Sequence, residues 1–176
     1  MLFPLHDEIT APEAAREHLE ATRRSFGMIP NLERVMANAP ALLAAYSFGW
    51  NVYDQTSLAP VERQIVYQTA NFENECNYCV PWHTLLARQS GADTATVEAL
   101  RQGRQLPDPR HEALRQFART LILNRGKAST ADLEAFFSAG FTAQQALEVV
   151  LGVAIKTMSN FTNSIAGTPL DAQVTH

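Results

Sequence analysis

The stretch Glu73-Asn74-Glu75-Cys76-Asn77-Tyr78-Cys79-Val80-Pro81-Trp82-His83 holds both cysteines of a 176-residue chain. A proline inside a helix lacks one backbone hydrogen bond and clashes with the carbonyl a turn earlier. Pro81 therefore belongs in a first turn, which puts the helix N-terminus at or beside Cys79. His83, four residues on, then falls on the same face as Cys79. Free amides and the positive end of the helix dipole favour a thiolate there. A protonated His83 would draw the thiol pKa down further, from about 8.5 toward neutrality. Glu73 and Glu75 would push it up, weighing more on Cys76 than on Cys79. The pattern reads as a reactive Cys79 with a resolving thiol, Cys76, three residues before it and a base one turn after it.

Working outward, the punctuation is that of helices. Thr10-Ala-Pro-Glu13 reads as a capping box with Pro12 in the first turn, followed by an amphipathic run from Ala14 to Phe26 and a closing Gly27. Pro30 and Pro40 can each open a helix, a short one near 31–37 and a longer one near 41–55. The longer one is apolar over much of its surface, as expected of a deep core helix or a subunit contact. Ser57-Leu-Ala-Pro60 starts a helix from Val61 to about Phe72, Gly91 ends the helix bearing Cys79, and Gly103 closes a short one from Thr94 to Gln102. Asp108 caps a helix closed by Gly126, and Ser129 or Thr130 caps one that stops at Gly140. Thr142-Ala-Gln-Gln145 boxes the start of a long apolar helix through Val149, Val150, Ile155 and Met158. No segment alternates in the manner of a strand bounded by hairpin turns. The expected fold is all-α, with eight or nine helices in a single domain over residues 1–176.

Composition narrows the partners. The formal net charge is −4, and Arg16, Arg23, Arg24, Arg63, Arg88, Arg101 and Arg104 are scattered, so no basic face for nucleic acid is expected. No apolar run approaches the ~18–20 residues of a membrane span. The start, Met1-Leu-Phe-Pro-Leu-His-Asp-Glu8, lacks the order of a secretory signal, so a cytoplasmic location is expected. Two cysteines in that setting point to reactive or metal-binding thiols. On the residues alone three readings stay open. The pair can be a redox dithiol, or it can simply pack. Alternatively Cys76, Cys79 and His83 can be zinc ligands, with a fourth from His6, His18, His111 or a carboxylate. A structural zinc site generally joins two such clusters and this chain has one, so no metal and no other cofactor is expected. His18 and His111 read as structural residues of amphipathic helices. Trp50 and Trp82 read as packing, with Trp82 placed to wall a pocket.

Glu62-Arg63-Gln64-Ile65-Val66, then Asn74 to His83, then Gly91 resemble the core of the carboxymuconolactone decarboxylase / alkylhydroperoxidase D (AhpD-like) family. Gly27-Met-Ile-Pro30-Asn-Leu and Asn160-Phe-Thr-Asn163, leading to Pro169-Leu-Asp171, are similar to its peroxidase-related branch, so the resemblance covers most of the chain. Carboxymuconolactone decarboxylases proper lack the cysteine pair, which favours the hydroperoxidase side. The resemblance implies an all-helical AhpD-like bundle that assembles as a dimer, trimer or hexamer. It implies an oxidoreductase of peroxiredoxin type acting on hydrogen or small organic peroxides. Cys79 would be the peroxidatic thiolate, Cys76 would resolve it as a Cys76–Cys79 disulfide, His83 would join the proton relay, and an external dithiol would reduce the disulfide. The family's relay also uses a glutamate twelve residues before the first cysteine, and here that position is Gln64. Glutamine can hold a hydrogen bond but cannot act as a base. Glu62 is turned about 200° around the helix and is a poor substitute. Pro81 and Trp82 also stand where the family carries small residues. The runner-up activities are a lactone decarboxylase-like reaction on a small carboxylic acid and a non-enzymatic, redox-sensing or zinc-binding oligomer.

Overall fold

The computed structural model describes residues 2–174. Among them it has nine α-helices, one 3-10 turn and no strand. The helices are α1 (Glu13–Phe26), α2 (Asn31–Met36), α3 (Pro40–Tyr53), α4 (Pro60–Glu73), α5 (Cys79–Gln89), α6 (Thr94–Arg101), α7 (Pro109–Leu123), α8 (Thr130–Ser138) and α9 (Ala143–Ala166), with the turn at Ala172–Val174. The all-α expectation holds. No single helix among these residues is long and apolar enough to cross a membrane.

Helix α4 is the centre of the bundle. Ile65, Val66, Tyr67, Gln68, Thr69, Ala70 and Asn71 are all buried in an unbroken run of about two turns. A helix buried on every side must be covered on every side, and α4 packs against α5, α6, α7 and α9. Helix α3 lies on α9 and α1, while α8 leans on α7. The aromatic stack of Phe117, Phe136 and Phe141, with ring centroids 4.3 and 4.6 Å apart, secures that last contact.

Most caps fall where the sequence places them. Ser129 and Thr142 both form capping boxes, Asp108 caps α7, and Gly91 and Gly126 take left-handed backbone. Two local readings need correction. Thr10 does not cap α1, because Asp7 Oδ1 already accepts from the amides of Ile9 and Thr10 and from the Thr10 hydroxyl, closing a separate turn. Pro30 stands one position before the helix start, as the N-cap of α2 with extended backbone, and Pro12 does the same for α1. Helix α3 buries one face, with Leu43, Tyr46, Gly49 and Tyr53 inward, while Phe48 on the other is 71% exposed.

Close approach of α9 to α3 and α4 depends on Gly152. A Cβ there would lie 2.5 Å from the Tyr53 hydroxyl and 2.8 Å from Val66 Cγ1, both in the core. We expect Gly152→Ala to destabilise the fold by about 1–3 kcal/mol through overpacking. Thermal denaturation should show a lower midpoint, by ~2–4 °C for each kcal/mol in a domain of this size. An unchanged midpoint would mean that α9 is free to move away from α3 and α4.

Candidate active site

The chain between α4 and α5 carries the first cysteine into place. Helix α4 ends in a reversal in which Cys76 N–H donates to Asn71 O (2.9 Å) and Glu75 N–H to Phe72 O (3.0 Å). Glu75 occupies the left-handed region at φ 51°, an uncommon position for a residue with a Cβ. Helix α5 then starts at Cys79 with Pro81 in its first turn, as the sequence indicates. Cys79 N–H points back to Cys76 Sγ (3.3 Å), so the two thiols face each other across the start of the helix, both reduced and both buried.

His83 follows one turn later and is buried too. Its Nδ1 lies 2.8 Å from Gln64 Oε1 and its Nε2 lies 3.0 Å from Lys156 Nζ. The ammonium can only donate, so Nε2 accepts and the ring proton sits on Nδ1, where it donates to the glutamine carbonyl. Burial pushes the imidazole well below the ordinary histidine range, and the charge of Lys156 pushes the same way. The expectation of a protonated His83 is therefore overturned. The positive charge near the thiol belongs to Lys156 on α9, and the imidazole is a neutral link between Lys156 and Gln64.

That charge bears on the cysteines unequally. At Cys79 burial pushes the thiol up, but the hydrogen bond from Cys76, the charge of Lys156 and the amides of Asn160 and Asn163 outweigh it and bring the thiol down to about 6. Asn163 Nδ2 stands 3.2 Å from Cys79 Sγ and 3.8 Å from Cys76 Sγ. Cys76 moves the opposite way, held far above the ordinary thiol range by its hydrogen bond to Cys79, by burial and by the Cys79 charge. Glu73 and Glu75 are not among these causes. Glu73 is drawn off into an ion pair with Arg119 at 2.8 Å. Glu62 is turned away as the helical geometry requires, accepting from Ala59 N–H and pairing with Arg110.

Cys79, His83 and Lys156 line a cavity of about 240 Å³ together with the rings of Phe26, Tyr46, Trp50 and Trp82, and Cys76 does not. Trp50 stacks on Tyr67 at 5.1 Å, so it packs and lines the cavity at once. The C-terminal segment fastens the same end of α5, where Cys79 lies. Asp171 accepts from Tyr78 Oη (2.5 Å), Trp82 Nε1 (3.0 Å) and the Asn31 amide (3.1 Å). Among the described residues no group of three His, Cys, Asp or Glu side chains is arranged to hold a metal ion. His111 lies outside the site, and half-buried His18 reaches the cavity wall.

Sequence reasoning misses Lys156, Asn160 and Asn163 as chemical groups, although Asn160 and Asn163 carry part of the family resemblance. The available signal is periodic: Gly152, Ile155, Lys156, Ser159, Asn160 and Asn163 form one buried stripe of α9. Four polar residues on a core-facing stripe, one of them a lysine, mark a functional face rather than packing.

Residues 37–120 match the model of the carboxymuconolactone decarboxylase family. No curated protein matches the chain in sequence. Among solved structures it is similar to an alkylhydroperoxidase AhpD core, an uncharacterised peroxidase-related protein from Ralstonia eutropha JMP134, with a TM-score of 0.86 at 21% identity over 98% of this chain and 93% of that one. A peroxidase-related protein from Silicibacter sp. TM1040 gives 0.82 at 22% identity, covering 99% and 92%. A variant of the debrominase Bmp8, in complex with 2,3,4-tribromopyrrole, gives 0.80 at 16% identity, covering 98% and 92%. At these identities the likeness is one of fold.

If Lys156 supplies the charge that favours the thiolate, Lys156→Met should raise the Cys79 pKa by about one unit or more, a roughly tenfold loss of thiolate at mildly acid pH. Thiolate absorbance followed against pH measures this directly. A titration curve that does not move would transfer the role to the helix end and the amides.

Proposed function

We propose that this protein is a thiol-dependent peroxidase that reduces hydrogen or small organic peroxides through a Cys76–Cys79 dithiol/disulfide cycle. The observation that carries the reading is the opposed acidity of two adjacent thiols, with the acidic one, Cys79, opening on the cavity. At neutral pH such a pair holds one thiolate to attack and one thiol to resolve. The Cys79 thiolate takes the terminal oxygen of the peroxide, the O–O bond breaks, and the remaining oxygen leaves with the electron pair and takes up a proton. Cys79 becomes a sulfenic acid. Cys76 then displaces hydroxide from that sulfur, its own proton completing a water molecule, and the disulfide forms. An external dithiol restores both thiols.

The peroxidase-related neighbours favour this reading. A recycled dithiol needs a reducing environment, so the proposal includes a cytoplasmic location. We extend the proposal to a homo-oligomer, in which exposed Phe48 on α3 would lie at a subunit contact. A second reading has an observation of its own. The aromatic wall suits a flat ring, and the debrominase of the same fold is in complex with a brominated pyrrole. A reductive debromination would consume the same two thiols, releasing bromide and leaving a hydrogen on the ring.

One equivalent of peroxide should remove both thiols and leave the protein lighter by two hydrogens. Cys79→Ser should abolish peroxide consumption, and Cys76→Ser should stop at a sulfenic acid that dimedone traps. Full peroxide turnover by Cys79→Ser would overturn the proposal. Bromide release from 2,3,4-tribromopyrrole by a protein inert to peroxide would replace it with the second reading.

A further inference from the structure

The cycle above leaves one acid of the cavity unused. Glu33, in the first turn of α2, lines the same cavity as Cys79, Lys156 and Trp82. Its Oε2 is closed off from solvent and has no hydrogen-bond partner among the described residues. An ionised carboxylate left in that condition is costly, and a proton on it removes most of the cost. A protonated carboxyl facing a cavity with no acceptor of its own is a hydrogen-bond donor waiting for a ligand.

The peroxide step has a need that fits it. When the Cys79 thiolate takes the terminal oxygen of an alkyl hydroperoxide, the S–O bond forms as the O–O bond breaks, and the departing alkoxide is too basic to leave well without a proton. We propose that Glu33 is the catalytic acid that protonates this leaving oxygen, an assignment that rests on the peroxidase reading. The products of the step are the Cys79 sulfenic acid, the alcohol and the Glu33 carboxylate. The carboxylate then recovers the proton that Cys79 released on ionising.

The other titratable groups around Glu33 are poorly suited to the task. They are His18 from α1, Tyr46 from α3, Tyr78 just before α5, Cys79 and His83 from α5, Lys156 from α9, and Asp171 from the C-terminal segment. His83 is neutral, with its ring proton held on Gln64. Lys156 is engaged with His83. Asp171 is an acceptor for three donors, one of them the Tyr78 hydroxyl. Burial raises the Tyr46 hydroxyl well above its ordinary range, which makes it a weaker acid. His18 is only half-buried and lacks the enclosed, unpaired atom that marks Glu33.

Burial also holds the Glu33 carboxyl up at about 8, against the hydrogen bond from its own backbone N–H and the charge of Lys156, with the charges of Asp171 and Cys79 adding to the rise. The acid is present below that pH and lost above it, whereas the Cys79 thiolate is present above about 6. The rate with an alkyl hydroperoxide should therefore rise through pH 6 and fall through pH 8.

The test compares two oxidants in single turnovers of the reduced full-length protein, at equal thiolate. Cumene hydroperoxide loses an alkoxide and needs the proton. Peracetic acid loses a carboxylate and does not. Glu33→Gln should slow the cumene hydroperoxide reaction by ~100-fold or more and remove the alkaline fall, while changing the peracetic acid rate by no more than about threefold. Glu33→Asp, which keeps a proton on a shorter arm, should recover part of the rate and the alkaline fall. Equal losses with both oxidants, or no loss with either, would overturn the assignment while the peroxidase reading stands. Failure of the unaltered protein to consume either oxidant would overturn the peroxidase reading, and this proposal with it.

Discussion

The site is arranged around a lysine with 1% of its surface open to water, Lys156. A charge so placed is unfavourable unless its surroundings answer it. Here the answer comes from the face of Tyr67, 5.5 Å away at its centroid, from the lone pair of His83 at 3.0 Å, and from the thiolate character it induces at Cys79. Each of these partners is fixed in turn by another requirement. His83 must stay neutral to accept, and Gln64 makes that possible by offering a carbonyl where a carboxylate would stabilise the imidazolium. The approach of α9 that delivers the lysine runs past Gly152, where Tyr53 and Val66 leave no room for a Cβ. The acidity of one sulfur thus depends on the shape of a helix crossing one turn away.

This arrangement separates the chain from the relay that its family resemblance implies. In that relay a glutamate would draw a proton through histidine. With Gln64 in its place the carboxylate is gone, and the cation is supplied from a different helix. A shared fold does not carry its chemistry with it. The same bundle serves proteins described as peroxidase-related and a protein described as a debrominase. In this chain the polar groups that shape the site include Gln64, Glu33 and Lys156, contributed by α4, α2 and α9.

How much of this is legible in sequence follows the range of the physics involved. Helix ends are set within four residues, so Ser129, Thr142, Asp108 and the left-handed glycines predict their elements closely. Thr10 misleads because Asp7, three residues before it, captures the same hydroxyl by an equally local route. The position of Cys79 at a helix start follows from Pro81 for the same reason. The charge on His83 does not, because it depends on burial and on a lysine 73 residues away. Asp171, which ties Tyr78 and Trp82 to α2, lies beyond any local rule as well. The sequence signal that is present, polar residues along the buried stripe of α9, indicates that a site exists on that face without indicating what it meets.

The unequal surroundings of the two sulfurs have a consequence for recovery from oxidation. An incoming reductant thiolate that enters through the cavity meets the sulfur of Cys79, which lines it, and not that of Cys76. The sulfur that must depart is then Cys76, whose anion burial disfavours. Exchange slows as the leaving thiol becomes more basic. In the proposed cycle the burial of Cys76 would therefore make the disulfide slow to reopen. If the pair cycles as proposed, the supply and reach of the reductant would set its throughput.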